Sequence, residues 1–182
     1  MDDKHGKFIH EDLAKAAKTA IGMEEEGYSI YMKAAAKSRN PLGVATLKAI
    51  AEKELLHKKA IEDFYSGLTG TSVETVSFAD TQLWSSKLRS EILKDIKDSL
   101  DKLSGSDEDL LKAYEISMVM EKKGYDFYDK IAGTTDNENA KQLFAFLARE
   151  ENSHYELLQE THLYLSDPSE WFHKEEKWLV EG

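Results

Sequence analysis

Apolar and small residues recur every three or four positions along most of this chain, the spacing of one face of an α-helix. The first stripe, Ala17, Ala20, Ile21, Gly27, Tyr28, Tyr31, Ala34 and Ala35, predicts a helix over about 11–37. Asn40-Pro41 ends it and opens the next, because proline disfavours helix in the residue before it and suits a first turn. The second helix is expected to run to about Tyr65 with Leu47, Ile50, Ala51, Ile61 and Phe64 on one face, and Ser66-Gly67 reads as its stop. Residues 68–80, rich in Thr, Ser and Gly, read as a crossover, and 83–103 offer a further helix of weaker apolar content. Ser106 followed by Asp107 and Glu108 is a helix start. It opens a third helix to about Ala132, with Leu110, Tyr114, Ser117, Tyr125, Tyr128 and Ile131 on one face and Gly133 closing it. Asp136 or Asn137 caps a fourth, reaching about Leu165, with Leu143, Phe144, Leu147 and Leu158 inward, before Asp167-Pro168. The tail, 166–182, carries Trp171, Phe172, Trp178 and Leu179; it is expected to dock on the domain as a short helical segment, with a second subunit as the alternative dock.

The chain repeats itself at an offset of 97 residues. EEEGYSIYMKAA from Glu24 and EKKGYDFYDKIA from Glu121 share six of twelve positions. At the same offset AEKELLH, ending at His57, aligns with AREENSH, ending at His154. Each half is a helical hairpin that cannot bury its stripe alone. Two hairpins packed together give an all-α four-helix bundle with pseudo-two-fold symmetry. The expected layout is one domain over 1–182: hairpin 1 at about 10–66, crossover 67–106, hairpin 2 at about 107–165, and the tail.

Charges interrupt the stripes at matching places. Glu24 falls in the middle of the first face and Glu121 in the middle of the third. Glu54 and His57 share the second face with Ile50, Ala51 and Ile61, and Glu151 and His154 repeat them on the fourth. The core thus receives four carboxylates and two imidazoles. A buried carboxylate without compensation costs several kcal/mol, and four close together repel. Two divalent cations carry the balancing charge with the histidines neutral. One E-x-x-H is a weak signal in a Glu-rich chain, and a lone Glu in a stripe is usually a boundary residue. Recurrence of both on four helices at one offset is what points to a dinuclear centre. Oxygen-rich ligation with one His per metal suits iron, with manganese or zinc as alternatives.

Composition narrows the chemistry. The net charge of -11 opposes nucleic acid and anionic membrane surfaces. It suits cations, although an acidic surface also simply keeps a protein soluble. With no cysteine, thiolate zinc, iron–sulfur and Cys-nucleophile chemistry are excluded for this chain. The polar start, MDDKHGKFIH, is unlike a signal peptide, and no apolar run spans a bilayer, so a cytoplasmic protein is expected.

At Glu24, Glu54, His57, Glu121, Glu151 and His154 the chain resembles the rubrerythrin family, over the two hairpins. The resemblance implies a ferritin-like bundle, a di-iron centre, and reduction of hydrogen peroxide or dioxygen. It also implies that Glu54 and Glu151 bridge the metals while Glu24 and Glu121 are terminal. Two departures stand out. Rubrerythrins carry a rubredoxin-like four-Cys domain, so this chain needs a separate electron-donor protein such as rubredoxin. They also place an extra carboxylate three residues after the third-helix ligand, where this chain has Gly124, mirrored by Gly27. The second departure brings forward ferroxidase activity with iron storage or delivery. A metal-stabilised structural bundle without turnover is the alternative of another class. Tyr31 and Tyr128, two turns beyond the stripe glutamates, are the candidate catalytic residues, hydrogen-bonding the carboxylates or modulating electron transfer, with core filling as the alternative. Tyr28 and Tyr125 are read as packing or interface residues, Gly27 and Gly124 as points of close helix approach. His5, His10, His162 and His173 have no repeat partner and are read as surface or structural. A homodimer is expected, since long bundles often pair.

Overall fold

The computed structural model describes residues 4–70 and 107–181, with side chains described over 12–70 and 108–174. The crossover, the helix expected over 83–103, and the side chains of His5, His10, Trp178 and Leu179 lie outside the described residues. Five helices and no strand occur among those described: α1 Lys4–Lys37, α2 Pro41–Thr69, α3 Asp107–Thr134, α4 Glu138–Ser166 and α5 Pro168–Glu181. None is long and apolar enough to cross a membrane.

The repeat extends to the joints of the hairpins. Asn40 caps α2 by accepting from the Gly43 amide at 3.0 Å, and Asn137 caps α4 by accepting from the Ala140 amide at 2.9 Å. An N-cap side chain satisfies a donor that the first helical turn leaves unpaired. Two residues earlier, the Ser38 and Thr135 hydroxyls accept from the Asn40 and Asn137 amides at 3.2 Å each. Three boundaries differ from the sequence expectation; in one, Gly133 lies inside the third helix, which runs on to Thr134. The first helix begins well before residue 11. The second runs through Ser66-Gly67 to Thr69, and its left-handed cap is Gly70, φ 68°, whose amide reaches Ser66 O. Ser66 bonds back to Glu62 O within the helix, so that pair is not a stop.

α1 pairs with α2 and α3 with α4; the hairpins then meet through α2 on α4 and α1 on α3. Cross-hairpin contacts run antiparallel: Thr46 to Thr161 and Phe64 to Phe144 for α2 and α4, Tyr31 to Glu121 and Tyr128 to Glu24 for α1 and α3. Start meets start between α2 and α3, where Tyr114 donates to Gly43 O at 3.1 Å. Two apolar clusters fill the bundle. One contains Ile30, Leu47, Ile50, Leu110, Tyr114 and Leu158; the other Leu13, Ile21, Ile61, Tyr65, Phe144 and Leu147. Of the face expected on the third helix, Tyr125 is exposed and Ile131 half-buried. At the end of α4, Asp167 accepts from the Glu170 amide, and Trp171 of α5 packs edge-on against Tyr164 at 5.3 Å. The start of the tail therefore packs against the end of α4, while Phe172 stays exposed.

Candidate metal centre

Between the two apolar clusters lies a polar layer. Glu24, Glu54, His57, Glu121, Glu151 and His154 are each at least 94% buried. Helical spacing explains how they meet. Residues three apart on α2 and on α4 project together, so Glu54 with His57 and Glu151 with His154 face the bundle axis. One ligand atom from each of these four lies within 4.8 Å of the others. The remaining two glutamates close on the histidines: Glu24 Oε2 is 3.5 Å from His57 Nδ1, and Glu121 Oε2 is 3.4 Å from His154 Nδ1. Each histidine also meets the E-x-x-H glutamate of the other hairpin. His57 Nδ1 stands 3.6 Å from Glu151 Oε1 and His154 Nδ1 3.2 Å from Glu54 Oε1. The rings stack at 5.3 Å between centroids. All six residues singled out from the sequence are thus brought into one place.

Glu54 lies beside Glu24 of its own hairpin while facing His154 of the other. Glu151 lies beside Glu121 and faces His57 in the same way. Glu54 and Glu151 therefore lie in the middle of the layer, with Glu24 and Glu121 at its flanks.

The electrostatics split the acids. Burial pushes the Glu54 carboxyl well above the ordinary range, and the charge of Glu24 and hydrogen bonding to it push further, followed by Glu121 and Glu151. Glu151 is raised likewise by burial and then by Glu121, Glu24 and Glu150. Burial also acts to raise Glu24, but its close neighbours Glu54 and His57 and the Tyr128 hydroxyl together hold it below its ordinary value. Without cations this group of acids must share protons.

Hydrogen bonding inside the protein leaves much of the layer unsatisfied. Glu24 Oε2, Glu54 Oε1, Glu121 Oε2, Glu151 Oε1 and both nitrogens of His57 and His154 are buried with no hydrogen-bond partner. Buried polar atoms of folded proteins are normally paired. Carboxylate oxygen and neutral imidazole nitrogen are the donor set of iron, manganese and zinc, so the residues present fit two divalent cations.

Tyr31 donates its hydroxyl to Glu121 and Tyr128 donates to Glu24, each across to the opposite hairpin. Both phenols are pushed well above their ordinary range, by burial first and then by the neighbouring carboxylates. They remain protonated donors.

Three features of the layer escape the sequence reading. His57 Nε2 lies 3.7 Å from Glu150 Oε2, and Lys53 Nζ lies 3.9 Å from the same oxygen. At the repeat offset Lys53 is the counterpart of Glu150, so a charge reversal between the halves was the available signal. Phe146 sits edge-on to His57 at 6.3 Å, for which no sequence signal exists. The space beside Gly27 and Gly124 is filled by the Glu54 and Glu151 carboxyls, where close helix approach was expected. Of the unpaired histidines, His162 is half-buried, 3.7 Å from Glu115, and His173 is exposed.

A family model described as rubrerythrin matches residues 15–162 of the chain. Among solved structures, a hypothetical protein from Pyrococcus furiosus is similar, with TM-score 0.63 and 18% sequence identity over 84% of this chain and 89% of that one. At that identity the likeness concerns the fold. No curated protein matches the chain.

Proposed function

We propose that this chain, which belongs to the rubrerythrin family, is a di-iron oxidoreductase that reduces hydrogen peroxide or dioxygen. The observation that carries the reading is the layer of four buried carboxyls and two imidazoles whose inward atoms have no partner within the protein. His57 with Glu24 would hold one iron and His154 with Glu121 the other; Glu54 and Glu151, each between a flank glutamate and the opposite histidine, would bridge. Bound iron supplies the reducing electrons and fixes the oxidant.

The chain supplies the rest. Tyr31 and Tyr128 hold Glu121 and Glu24 in place and keep their phenolic protons there. The apolar clusters on either side exclude water and strengthen every charge interaction in the layer. Glu150 beside His57 Nε2 would favour the tautomer that leaves Nδ1, on the side of Glu24 and Glu151, free to hold a metal. With no cysteine in the chain, electrons would come from a separate donor protein such as rubredoxin. The working unit would be a cytoplasmic homodimer.

Gly124 and Gly27 favour a second reading. Where rubrerythrins place an extra carboxylate, this chain has none, which suits ferroxidase activity with iron storage or delivery. Anaerobic loading with two Fe(II) per chain, followed by peroxide or oxygen, separates the readings. Faster oxidation by peroxide, with turnover when a reductant is added, supports the peroxidase. Preference for oxygen with mineral growth supports the ferroxidase. Tight zinc binding with no oxidation by either would leave a structural bundle and refute the enzyme.

A further inference from the structure

Gly27 and Gly124 are buried in the middle of α1 and α3, one turn after Glu24 and Glu121. Glycine inside a helix destabilises it relative to alanine, and here the cost recurs at equivalent places in both hairpins. The two positions face carboxyls, not backbone. At each, the three atoms nearest to where a Cβ would stand belong to one side chain: Oε2, Cδ and Cγ of Glu54 for Gly27, and of Glu151 for Gly124. A Cβ at 27 would sit 3.0 Å from Glu54 Oε2. A Cβ at 124 would overlap Glu151 Oε2 and stand 3.0 Å from Glu151 Cδ. Gly67 and Gly133, by contrast, have nothing within 4 Å of that point.

We propose that Gly27 and Gly124 are positioning residues for the metal pair: each is the floor of a seat in which the Glu54 or Glu151 carboxylate lies, and Gly124 is the stricter of the two. The inference rests on the metal reading above. Glu54 and Glu151 each reach a glutamate of one hairpin and a histidine of the other. A carboxylate lifted by a few tenths of an ångström loses register with both partners at once. Both side chains are enclosed, so neither can swing into solvent to avoid a new methyl group. A methyl group at either glycine therefore acts on the metal through the carboxylate, without touching the metal.

The test is a Co(II) titration of the full chain, read by visible absorption and equilibrium affinity, beside melting of the apoprotein. Gly124→Ala should weaken Co(II) binding by about 10- to 100-fold, the range for residues that orient metal ligands. It should also change the absorption bands. Gly27→Ala should weaken binding less. Both apoproteins should keep the parent's helical signal and melt cooperatively, with the larger fall in melting temperature for Gly124→Ala, where the new methyl group overlaps Glu151 Oε2. Gly67→Ala, in α2 and facing open space, should leave affinity unchanged.

Parent affinity and spectrum in both variants would overturn the proposal. So would a Gly124→Ala apoprotein that fails to fold, since the strain would then lie in helix packing. Equal or reversed losses would remove Gly124 as the stricter seat, and an equal loss in Gly67→Ala would show a general helix effect. A parent chain that binds no Co(II) would instead refute the metal reading itself, and this inference with it.

Discussion

Replacing Glu54 by glutamine is expected to raise the melting temperature of the apoprotein and to lower that of the metal-loaded protein. Glu54 is 4% exposed, and burial, Glu24, Glu121 and Glu151 all push its carboxyl upward. Below the ordinary value of 4.5 both the folded and the unfolded chain hold its proton, and the residue costs nothing. Above that, the unfolded chain releases the proton while the fold retains it. Apoprotein stability then falls by about 1.4 kcal/mol per pH unit until the folded carboxyl ionises too. By pH 6.5 the loss has a ceiling of about 3 kcal/mol. For a chain of this length each kcal/mol is worth about 2–4 °C, so the ceiling is about 6–12 °C. Glutamine keeps the shape without a proton to take up, and avoids this loss. The metal side runs the other way. Free metal at about a hundred times its dissociation constant stabilises by about 2.7 kcal/mol per ion, hence about 5 kcal/mol for two. A neutral amide holds a divalent cation far more weakly than a carboxylate, so most of that gain should disappear in the variant. Melting of parent and Glu54→Gln, with chelator and with anaerobic Fe(II), between pH 4.5 and 7.5, gives all four values. An apo variant melting at or below the parent near neutrality refutes the reasoning. So does an apo gap that persists undiminished at pH 4.5, or an equal metal-induced rise in both proteins.

Tyr128→Phe removes the hydroxyl held against Glu24. Hydrogen bonds to charged groups contribute about 1.5–3 kcal/mol, so the apoprotein should melt lower by roughly 3–12 °C, with metal stoichiometry unchanged by elemental analysis. Asn137→Ala deletes the α4 N-cap and should cost about 1 kcal/mol, roughly 2–4 °C, in apo and loaded protein alike; a metal-dependent difference would contradict a purely local role. Gly43→Ala would put a methyl group 2.8 Å from Leu110 Cδ2 where α2 meets α3. An overpacking loss of about 1–3 kcal/mol is expected in denaturant melts, relieved by Leu110→Ala in the same chain.

The bundle and its polar layer were legible because both obey helical periodicity and both occur twice. A glutamate amid Ala17, Ala20, Ile21 and Tyr31 is conspicuous by what surrounds it, and Glu121 repeats it at the same offset. Asn40-Pro41 announced its joint through proline chemistry, and the repeat carries that joint to Asn137. What was not legible depends on partners from other helices. Spacing placed Tyr31 and Tyr128 on the right face but could not say that each bonds the glutamate of the opposite hairpin. A buried glycine signals only that a side chain is unwelcome; whether backbone or a carboxylate takes the space at Gly27 and Gly124 is a tertiary fact. Ser66-Gly67 resembles a helix end, yet propagation continued to Gly70, where the chain adopts a positive φ. The start of α1 was not legible because only Phe8 and Ile9 interrupt the polar residues before Glu11, too few to define a stripe.

Metal content after anaerobic reconstitution and desalting tests the account most directly, measured per chain beside far-ultraviolet circular dichroism. The parent should retain two divalent ions. Glu54→Ala and Glu151→Ala should each retain fewer than two while keeping their helical signal. A parent that holds none, or variants that both still hold two, would contradict the claim that this buried layer exists to bind a metal pair.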